Sequence, residues 1–131
     1  MLQQHARIAV PALAAFLAAA PASAEWLDND TAIRSLVAGK RVFLKVPLGG
    51  EFPLYYQANG RVTGDGSALG LGKYFAPRET GEWWVDRGQL CQRFPTWYKA
   101  KTSCFRLQPT GESRLRWKRD DGYSGRARIE P

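Results

Sequence analysis

Cys91 and Cys104 are the side chains in this chain best suited to covalent chemistry. Two thiols can form a disulfide, hold a metal or serve as nucleophiles, but the last two roles need further ligands or a base, usually histidine. The sequence has one histidine, His5, in an N-terminal segment that we expect to be removed. Ser-His-Asp and Cys-His mechanisms are therefore excluded for the remaining chain. We expect the two cysteines to form a disulfide.

Carboxylates are the other groups that could catalyse a reaction. A glycosidase needs two of them at a defined separation, and no spacing in this chain selects such a pair. Asp120-Asp121-Gly122 is more typical of a turn, and no loop offers enough oxygen ligands for calcium. We therefore expect a protein that is not an enzyme and holds no metal or cofactor. The carboxylates considered are Asp65, Glu79, Glu82, Asp86, Asp120 and Asp121.

Cations alternate with other residues near the C-terminus. Because alternate side chains of a strand share a face, Arg114, Arg116 and Lys118 would lie on one face of their strand. Arg126 and Arg128 would lie on the matching face of the next strand. Such a surface could attract lipid headgroups, lipopolysaccharide, acidic glycans or an acidic protein. The alternative is an ordinary solvated sheet face, which the modest net charge favours.

A second candidate contact surface is the loop of residues 94–101. Trp97 and Tyr98 are adjacent large aromatics, flanked by Lys99 and Lys101. Both rings cannot easily be buried in a polar loop, and exposed aromatics are enriched where proteins bind sugars, lipids or other proteins. The alternative is that Trp97 folds back and closes an end of the structure, since tryptophan is highly buried on average.

The first 24 residues have the pattern of a secretory signal peptide. Arg7 provides a short positive region, residues 8–20 are apolar, and Ala22-Ser23-Ala24 is a cleavage site of small residues. The apolar run is too short to span a bilayer, so no transmembrane segment is expected after cleavage. Cleavage after Ala24 predicts a periplasmic or secreted protein, a location that permits a disulfide and argues against a nucleic-acid partner.

Residues 25–131 are expected to form a single β-rich domain that begins with one helix. Residues 28–30 offer an N-cap, Ile33, Leu36 and Val37 share one apolar face, and Gly39 ends the helix. About seven or eight short strands follow, beginning with 41–46 and 52–58. This spacing predicts a small antiparallel barrel or curved sheet. It leaves open whether the interior is filled or could hold a small apolar molecule.

The predicted disulfide belongs to a hairpin within residues 81–107. The aromatic and aliphatic residues of 83–85 and 90–91 suit a strand, and 86–88 are turn residues. A further strand over 102–107 would place Cys104 opposite Cys91 if the two strands are neighbours. Each pair of adjacent aromatics, Trp83 with Trp84 and Tyr55 with Tyr56, is expected to place at least one ring in the core.

The order of several short motifs resembles that of small exported proteobacterial proteins grouped as families of unknown function. The resemblance covers most of residues 25–131 and implies a periplasmic or secreted β-rich domain, without any catalytic residue to carry over. The motif residues are Leu36, Gly39 and Lys40; Tyr56 to Arg61; Gly81 and Trp83; Leu90 and Cys91; Cys104 and Phe105; and Asp121 to Gly125.

Together these features favour a non-enzymatic binding or accessory module of the cell envelope. Its contact surfaces would be the loop at Trp97 and Tyr98 and the basic C-terminal face, and its partner an anionic or amphipathic envelope component, such as a lipid or glycan. One alternative is a protein inhibitor or secreted effector whose loop inserts into a partner protein. A carboxylate-based hydrolase is less favoured.

Overall fold

Alternation of apolar and polar residues produces short strands, each of which can turn one face towards a core. The computed structural model describes residue 3 and residues 25–47, 49–67 and 78–131, so the predicted signal peptide lies, apart from residue 3, outside the described residues. The strands are β1 (Lys40–Lys45), β2 (Glu51–Tyr56), β3 (Arg61–Asp65), β4 (Arg78–Asp86), β5 (Gln89–Arg93), β6 (Ser103–Gly111), β7 (Arg114–Arg119) and β8 (Ser124–Glu130). In this described part of the chain, each strand pairs antiparallel with the next and β8 pairs with β1, which closes the barrel. The predicted mainly β fold with seven or eight strands is confirmed.

A short helix, α1 (Asp30–Val37), precedes the barrel and covers one end of it. Asn29 is its N-cap, and Oδ1 of Asn29 accepts a hydrogen bond from the backbone N–H of Ala32 at 3.1 Å. This bond satisfies a donor that the first turn of a helix otherwise leaves unpaired. Ile33 and Val37 are completely buried in the same core as the inward-facing strand residues. The predicted helix and its apolar face are therefore confirmed.

The two ends of the barrel differ. The end covered by α1, here called the helix end, carries the turns between β2 and β3, β4 and β5, and β6 and β7. There the backbone N–H of Gly88 donates to Oδ1 of Asp30 at 2.7 Å, which ties the β4–β5 turn to the helix. Gly88 has a φ of +72°, and a Cβ would lie 2.8 Å from the carbonyl oxygen of Asp28, so this position requires glycine. The opposite end, here called the loop end, is the end at which β1, β3, β5 and β7 terminate.

Side chains fill the interior of the barrel. The apolar space left among them measures about 20 Å³, which is room for about one water molecule. Within the part of the chain that the structure describes, the interior is therefore filled and does not offer the open cavity that the sequence left possible. The residues around this space include Val37, Val42, Leu54, Tyr56, Leu90, Leu107 and Leu115.

A disulfide between Cys91 and Cys104 joins β5 to β6, where the two residues are directly opposed. The predicted hairpin before it is also present, as β4 and β5 connected by a tight turn at Arg87 and Gly88. Cys91 is buried and Cys104 is half-buried. The predicted disulfide and its strand register are confirmed.

The adjacent aromatic pairs divide between the two faces of their strands. Trp83 and Tyr56 point inward and are buried, whereas Trp84 is half-buried and Tyr55 is exposed. The two inward rings meet edge to face, with centroids 5.8 Å apart. Nε1 of Trp83 donates to the carbonyl oxygen of Gln57 at 2.7 Å. One ring of each pair therefore lies in the core, as predicted.

The bounds of the first two strands differ slightly from the predicted 41–46 and 52–58. β1 begins and ends one residue earlier, at Lys40 and Lys45. β2 begins at Glu51 and ends at Tyr56, because Gln57 belongs to the turn: its carbonyl oxygen accepts from the N–H of Gly60 at 3.1 Å. The sheet pattern of alternate burial is unchanged by these shifts.

Candidate binding surfaces

A continuous set of cations covers the outer side of β6, β7 and β8. We call it the cationic face. Alternation in the sequence predicted that the β7 and β8 cations share a face, and strand register sets each member of the cationic face opposite another cation. The opposed pairs are Arg114 with Arg128, Arg116 with Arg126, and Arg106 with Lys118.

Most of the cationic face is not neutralised by the protein itself. The side chains of Arg114, Arg116 and Arg126 are exposed and make no ion pair or hydrogen bond with any residue that the structure describes. Like charges directly opposite each other on neighbouring strands destabilise a sheet. A groove of about 530 Å³ runs between these side chains and is also lined by Lys45, Gln108 and Glu51, the carboxylate that pairs with Arg128. An anion in this groove would relieve the repulsion.

Arg128 differs from its neighbours, and the sequence did not predict this difference. Its Nε and Nη2 donate to the two carboxylate oxygens of Glu51 at 2.6 Å and 3.0 Å, and its Nη1 donates to Glu130. Hydrogen bonding to Glu51 raises the pKa of Arg128, and the same bond lowers the pKa of Glu51. The guanidinium carbon also lies 4.0 Å from the ring centroid of Phe43. Arg128 is thus a paired and stacked cation, fixed at the edge of the cationic face.

The indole of Trp97 closes the loop end of the barrel. It is half-buried, with its ring centroid 5.5 Å from that of Phe52 and 4.8 Å from that of Phe94. A Cβ on Gly64 would lie 2.5 Å from the same indole, so the ring packs directly on the β3 backbone. Of the two alternatives for Trp97, the structure has the packed one, and Trp97 contributes packing more than contact surface.

Glu79 holds this loop in place, a role that sequence reasoning missed. Its carboxylate accepts hydrogen bonds from the backbone N–H and Oγ1 of Thr96 and from the N–H of Trp97, the last at 3.1 Å. Glu79 is largely buried, facing inward near the loop end of β4. In the sequence, Glu79 is a candidate only as a catalytic carboxylate, and the loop that it binds lies 17 residues away. Glu79 is therefore a structural carboxylate.

The neighbouring Tyr98 projects from the loop end. Its side chain is 58% exposed, and Tyr123 beside it is 68% exposed. The guanidinium of Arg119 lies between them, 5.3 Å from the Tyr98 ring and 5.1 Å from the Tyr123 ring. Arg119 is anchored by Asp121 at 2.8 Å. This arrangement, a cation between two exposed aromatics, resembles the composition of protein interaction hot spots.

The backbone of this loop is strained. Tyr98, Lys99 and Ala100 have consecutive φ values of 56°, 55° and 56°, a left-handed conformation that is unfavourable for residues with a Cβ. Lys99 and Lys101 are exposed. Strain of this kind persists only where surrounding contacts fix it, and the Glu79 bonds and the packing of Trp97 provide such contacts. The loop is therefore a preformed surface.

The predicted site residues lie on two separate surfaces. Trp97, Tyr98, Lys99 and Lys101 lie at the loop end, and the five cations of the C-terminal strands lie on the barrel wall. Lys118, next to Arg119 at the end of β7, is the wall cation nearest to the loop end. The structure therefore does not unite these residues in one site.

A third surface lies on the other side of Arg128 and was not predicted. Phe43, Pro53 and Tyr55 point outward from β1 and β2 and form what we call the aromatic patch. Tyr55 is 37% exposed and lies under the guanidinium of Arg41 at 5.5 Å. A groove of about 410 Å³ runs along the patch. The sequence does show Phe43 alternating with Arg41 and Lys45 along β1. Alternation alone does not show which strands lie beside β1, so it could not predict the aromatic patch.

The carboxylates that could catalyse a reaction have structural partners at several positions. Asp65 accepts from Ser67 and from Nη2 of Arg78 at 2.9 Å, and these bonds lower the pKa of Asp65 to about 2. Hydrogen bonding to Arg119 likewise lowers the pKa of Asp121. In the described ranges, no three residues among His, Cys, Asp and Glu are grouped as a metal site. The carboxylates of Asp65 and Asp121 therefore stay charged and paired at neutral pH, whereas a general acid must carry a proton there.

Two further observations concern the chain as a whole. Among the helices of the described residues, none has the length and apolar character needed to cross a membrane.

Comparison with known proteins found no matching family model, no matching curated protein and no matching solved structure.

Proposed function

We propose that this protein is a non-enzymatic binding module, exported by an N-terminal signal peptide, that holds an anionic component of the cell envelope on its cationic face. The observation that carries the proposal is the opposition of Arg116 and Arg126 on neighbouring strands, without a carboxylate partner among the described residues. An ordinary solvated face would mix both signs of charge. A face that binds anions keeps its cations unpaired until the partner arrives.

The test is binding of the purified, oxidised protein to a polyanion, with dextran sulfate as the probe. We expect the Arg116→Ser/Arg126→Ser variant to lose about tenfold in affinity at low salt, corresponding to about 1.4 kcal/mol. Because the contacts are electrostatic and exposed, affinity of the unmodified protein should fall steeply as salt is raised.

A matched control removes the same charge from another wall. Arg61→Ser/Arg93→Ser also removes two cations, but Arg61 and Arg93 flank Glu82 on β3, β4 and β5. This control should bind almost as tightly as the unmodified protein. Equal loss in both variants would mean that only net charge matters, and the cationic face would not be a binding site.

A second candidate function rests on the loop end. Exposed Tyr98 is held in a preformed loop, as in a protein inhibitor whose loop inserts into a partner, and preorganisation of this kind favours affinity. This function predicts a protein partner that co-purifies in stoichiometric amount and is released by Tyr98→Ser. Retention of such a partner by the Tyr98→Ser variant, and its release by Arg116→Ser/Arg126→Ser, would contradict this candidate and favour the cationic face.

A further inference from the structure

The cationic face and the aromatic patch form one continuous row across the barrel. Strand register sets Arg114 of β7 opposite Arg128 of β8, Arg128 opposite Phe43 of β1, and Phe43 opposite Pro53 of β2. All four side chains belong to the outer face. Neighbouring strands lie about 4.8 Å apart, so the row spans about 15 Å. Arg128 is one of its two inner members, paired with Glu51 and stacked on Phe43.

A parallel row extends the aromatic patch away from the cationic face. Arg41 lies opposite Tyr55, Tyr55 opposite Thr63, and Thr63 opposite Thr80. The groove along it is lined by a flat aromatic ring, by the Thr63 hydroxyl and by the Asp65–Arg78 ion pair. These groups can pack on an apolar ring face and exchange hydrogen bonds with hydroxyls on its edge. A groove that only attracted an anion would need neither the aromatic ring, nor the Thr63 hydroxyl, nor the ion pair.

A sugar ring has the chemistry that this second groove would accept. Its axial C–H groups make an apolar face that packs on an aromatic ring, and its hydroxyls bond to paired carboxylate and guanidinium groups. Acyl chains of a lipid would need a deep apolar cavity, but the barrel interior offers about 20 Å³. The unpaired arginines beside the patch would attract acidic groups on the same molecule.

We infer that the anionic partner is an acidic polysaccharide, whose acidic groups bind the cationic face while its sugar rings pack on the aromatic patch at Phe43 and Tyr55. This inference rests on the proposed function and specifies its ligand. The chain of sugars would cross from β7 to β2 over Arg128, which is held at the junction by Glu51 and Phe43. Charge would provide attraction, and the aromatic rings would provide selectivity for sugars.

Two polymers that share carboxylates but differ in their rings provide the test. Polygalacturonate carries its carboxylates on sugar rings, and polyglutamate of equal charge carries none on rings. We expect the unmodified protein to bind polygalacturonate about tenfold more tightly than polyglutamate. Phe43→Leu and Tyr55→Leu should each lower polygalacturonate affinity about fivefold and leave polyglutamate affinity unchanged, because leucine is apolar but not flat.

The control variants separate this inference from the proposed function. Arg116→Ser/Arg126→Ser should weaken both polymers, and Tyr98→Leu, an aromatic change at the loop end, should weaken neither. Near-ultraviolet circular dichroism and an intact disulfide would verify folding of each variant. If Phe43→Leu fails to fold, Tyr55→Leu at its exposed position keeps the test valid.

Several results would overturn the inference. Equal affinity for the two polymers, or equal effects of the leucine variants on both, would show recognition of charge alone and leave the proposed function intact. Binding to anionic phosphatidylglycerol vesicles but to neither polymer would identify a lipid surface instead. Absence of binding to polymers and vesicles alike would contradict the proposed function as well.

Discussion

Tyr56 places a phenol inside the barrel, where its hydroxyl donates to Oε1 of Gln92 at 2.6 Å. Burial raises the pKa of Tyr56 above its ordinary value of 10, with a smaller contribution from the charge of Tyr98. The cause is desolvation, which penalises the phenolate. The folded protein therefore keeps the Tyr56 proton at a pH at which the unfolded chain loses it. The stability that this group contributes is complete below about pH 10 and declines as the pH rises further.

Tyr56→Phe tests this relation at a single atom. At pH 8 the variant should lose about 1–2 kcal/mol in free energy of unfolding, because Oε1 of Gln92 is left without its donor. Between pH 9 and pH 11 the variant should lose less stability than the unmodified protein, since its ring cannot ionise. Urea unfolding of both proteins at pH 8 measures the first effect, and urea unfolding at pH 9 and pH 11 measures the second. Parallel declines in the two proteins would show that Tyr56 does not cause the alkaline loss.

At the level of strands, the disulfide fastens β5 to β6 at one cross-strand position, with a sequence separation of 13. Cross-linking the chain over such a loop restricts the unfolded ensemble more than the folded one. The barrel is small, so a single cross-link is a large share of its stability.

Cys91→Ser/Cys104→Ser should therefore lower the free energy of unfolding by about 3 kcal/mol. Chemical denaturation with and without reductant measures this loss. Reductant should bring the unmodified protein to the stability of the variant and leave the variant unchanged. A protein whose midpoint does not respond to reductant would contradict the stabilising role.

Local signals in the sequence were sufficient for most elements of the fold. An Asx cap before Ile33 and Val37 marked the helix, and the turn residues 86–88 marked the hairpin of β4 and β5, because each signal involves residues close together in the chain. The Cys91–Cys104 register followed from alternation along two adjacent strands. Contacts between distant segments were beyond such reasoning: Glu51 neutralises Arg128 across 77 residues of sequence.

The candidate sites show the same limit. Alternation placed the C-terminal cations on one face, but it could not show that Phe43 would lie beside Arg128, because that neighbour is created by closure of the barrel. Nor could it show that Trp97 would pack between Phe52 and Phe94. Alternation in the sequence thus predicted which side chains of a strand are exposed. It predicted less well which strands lie next to each other.

For the whole molecule, the cationic face is a concentration of charge that the fold maintains at a cost in stability. Removing opposed cations should relieve that cost when salt is low, because exposed charges are screened as ionic strength rises. A binding function explains why such a surface would be retained, since surfaces that serve a partner are often not optimal for stability.

Arg116→Gln/Arg126→Gln should raise the Tm by about 2–4 °C at low salt, and the difference should disappear near 0.5 M salt. Differential scanning calorimetry at several salt concentrations measures this change. Arg61→Gln, whose partner across the strand is Glu82, should not raise the Tm. A lower Tm for the double variant at low salt would show that these arginines support the fold and would weaken the case for a binding face.

Closure of the barrel also has a kinetic consequence. Among the described strands, pairing joins neighbours along the chain everywhere except between β1 and β8. This seam joins the start and the end of the barrel, so its formation requires the largest loop closure, and we expect it to form last and to open first. The N–H of Ile129 donates to Ser113 on the β7 side, so the hydrogen bonds across the seam join Phe43 and Arg128. The amides of Phe43 and Arg128 should then exchange with deuterium before those of β6 and β7.

Because Phe43 and Arg128 lie on opposite sides of the seam, each opening would separate the aromatic patch from the cationic face. A ligand that contacts both sides could bind only the closed barrel. Its binding would therefore slow deuterium uptake along β1 and β8 and make the seam the kinetically protected junction of the barrel.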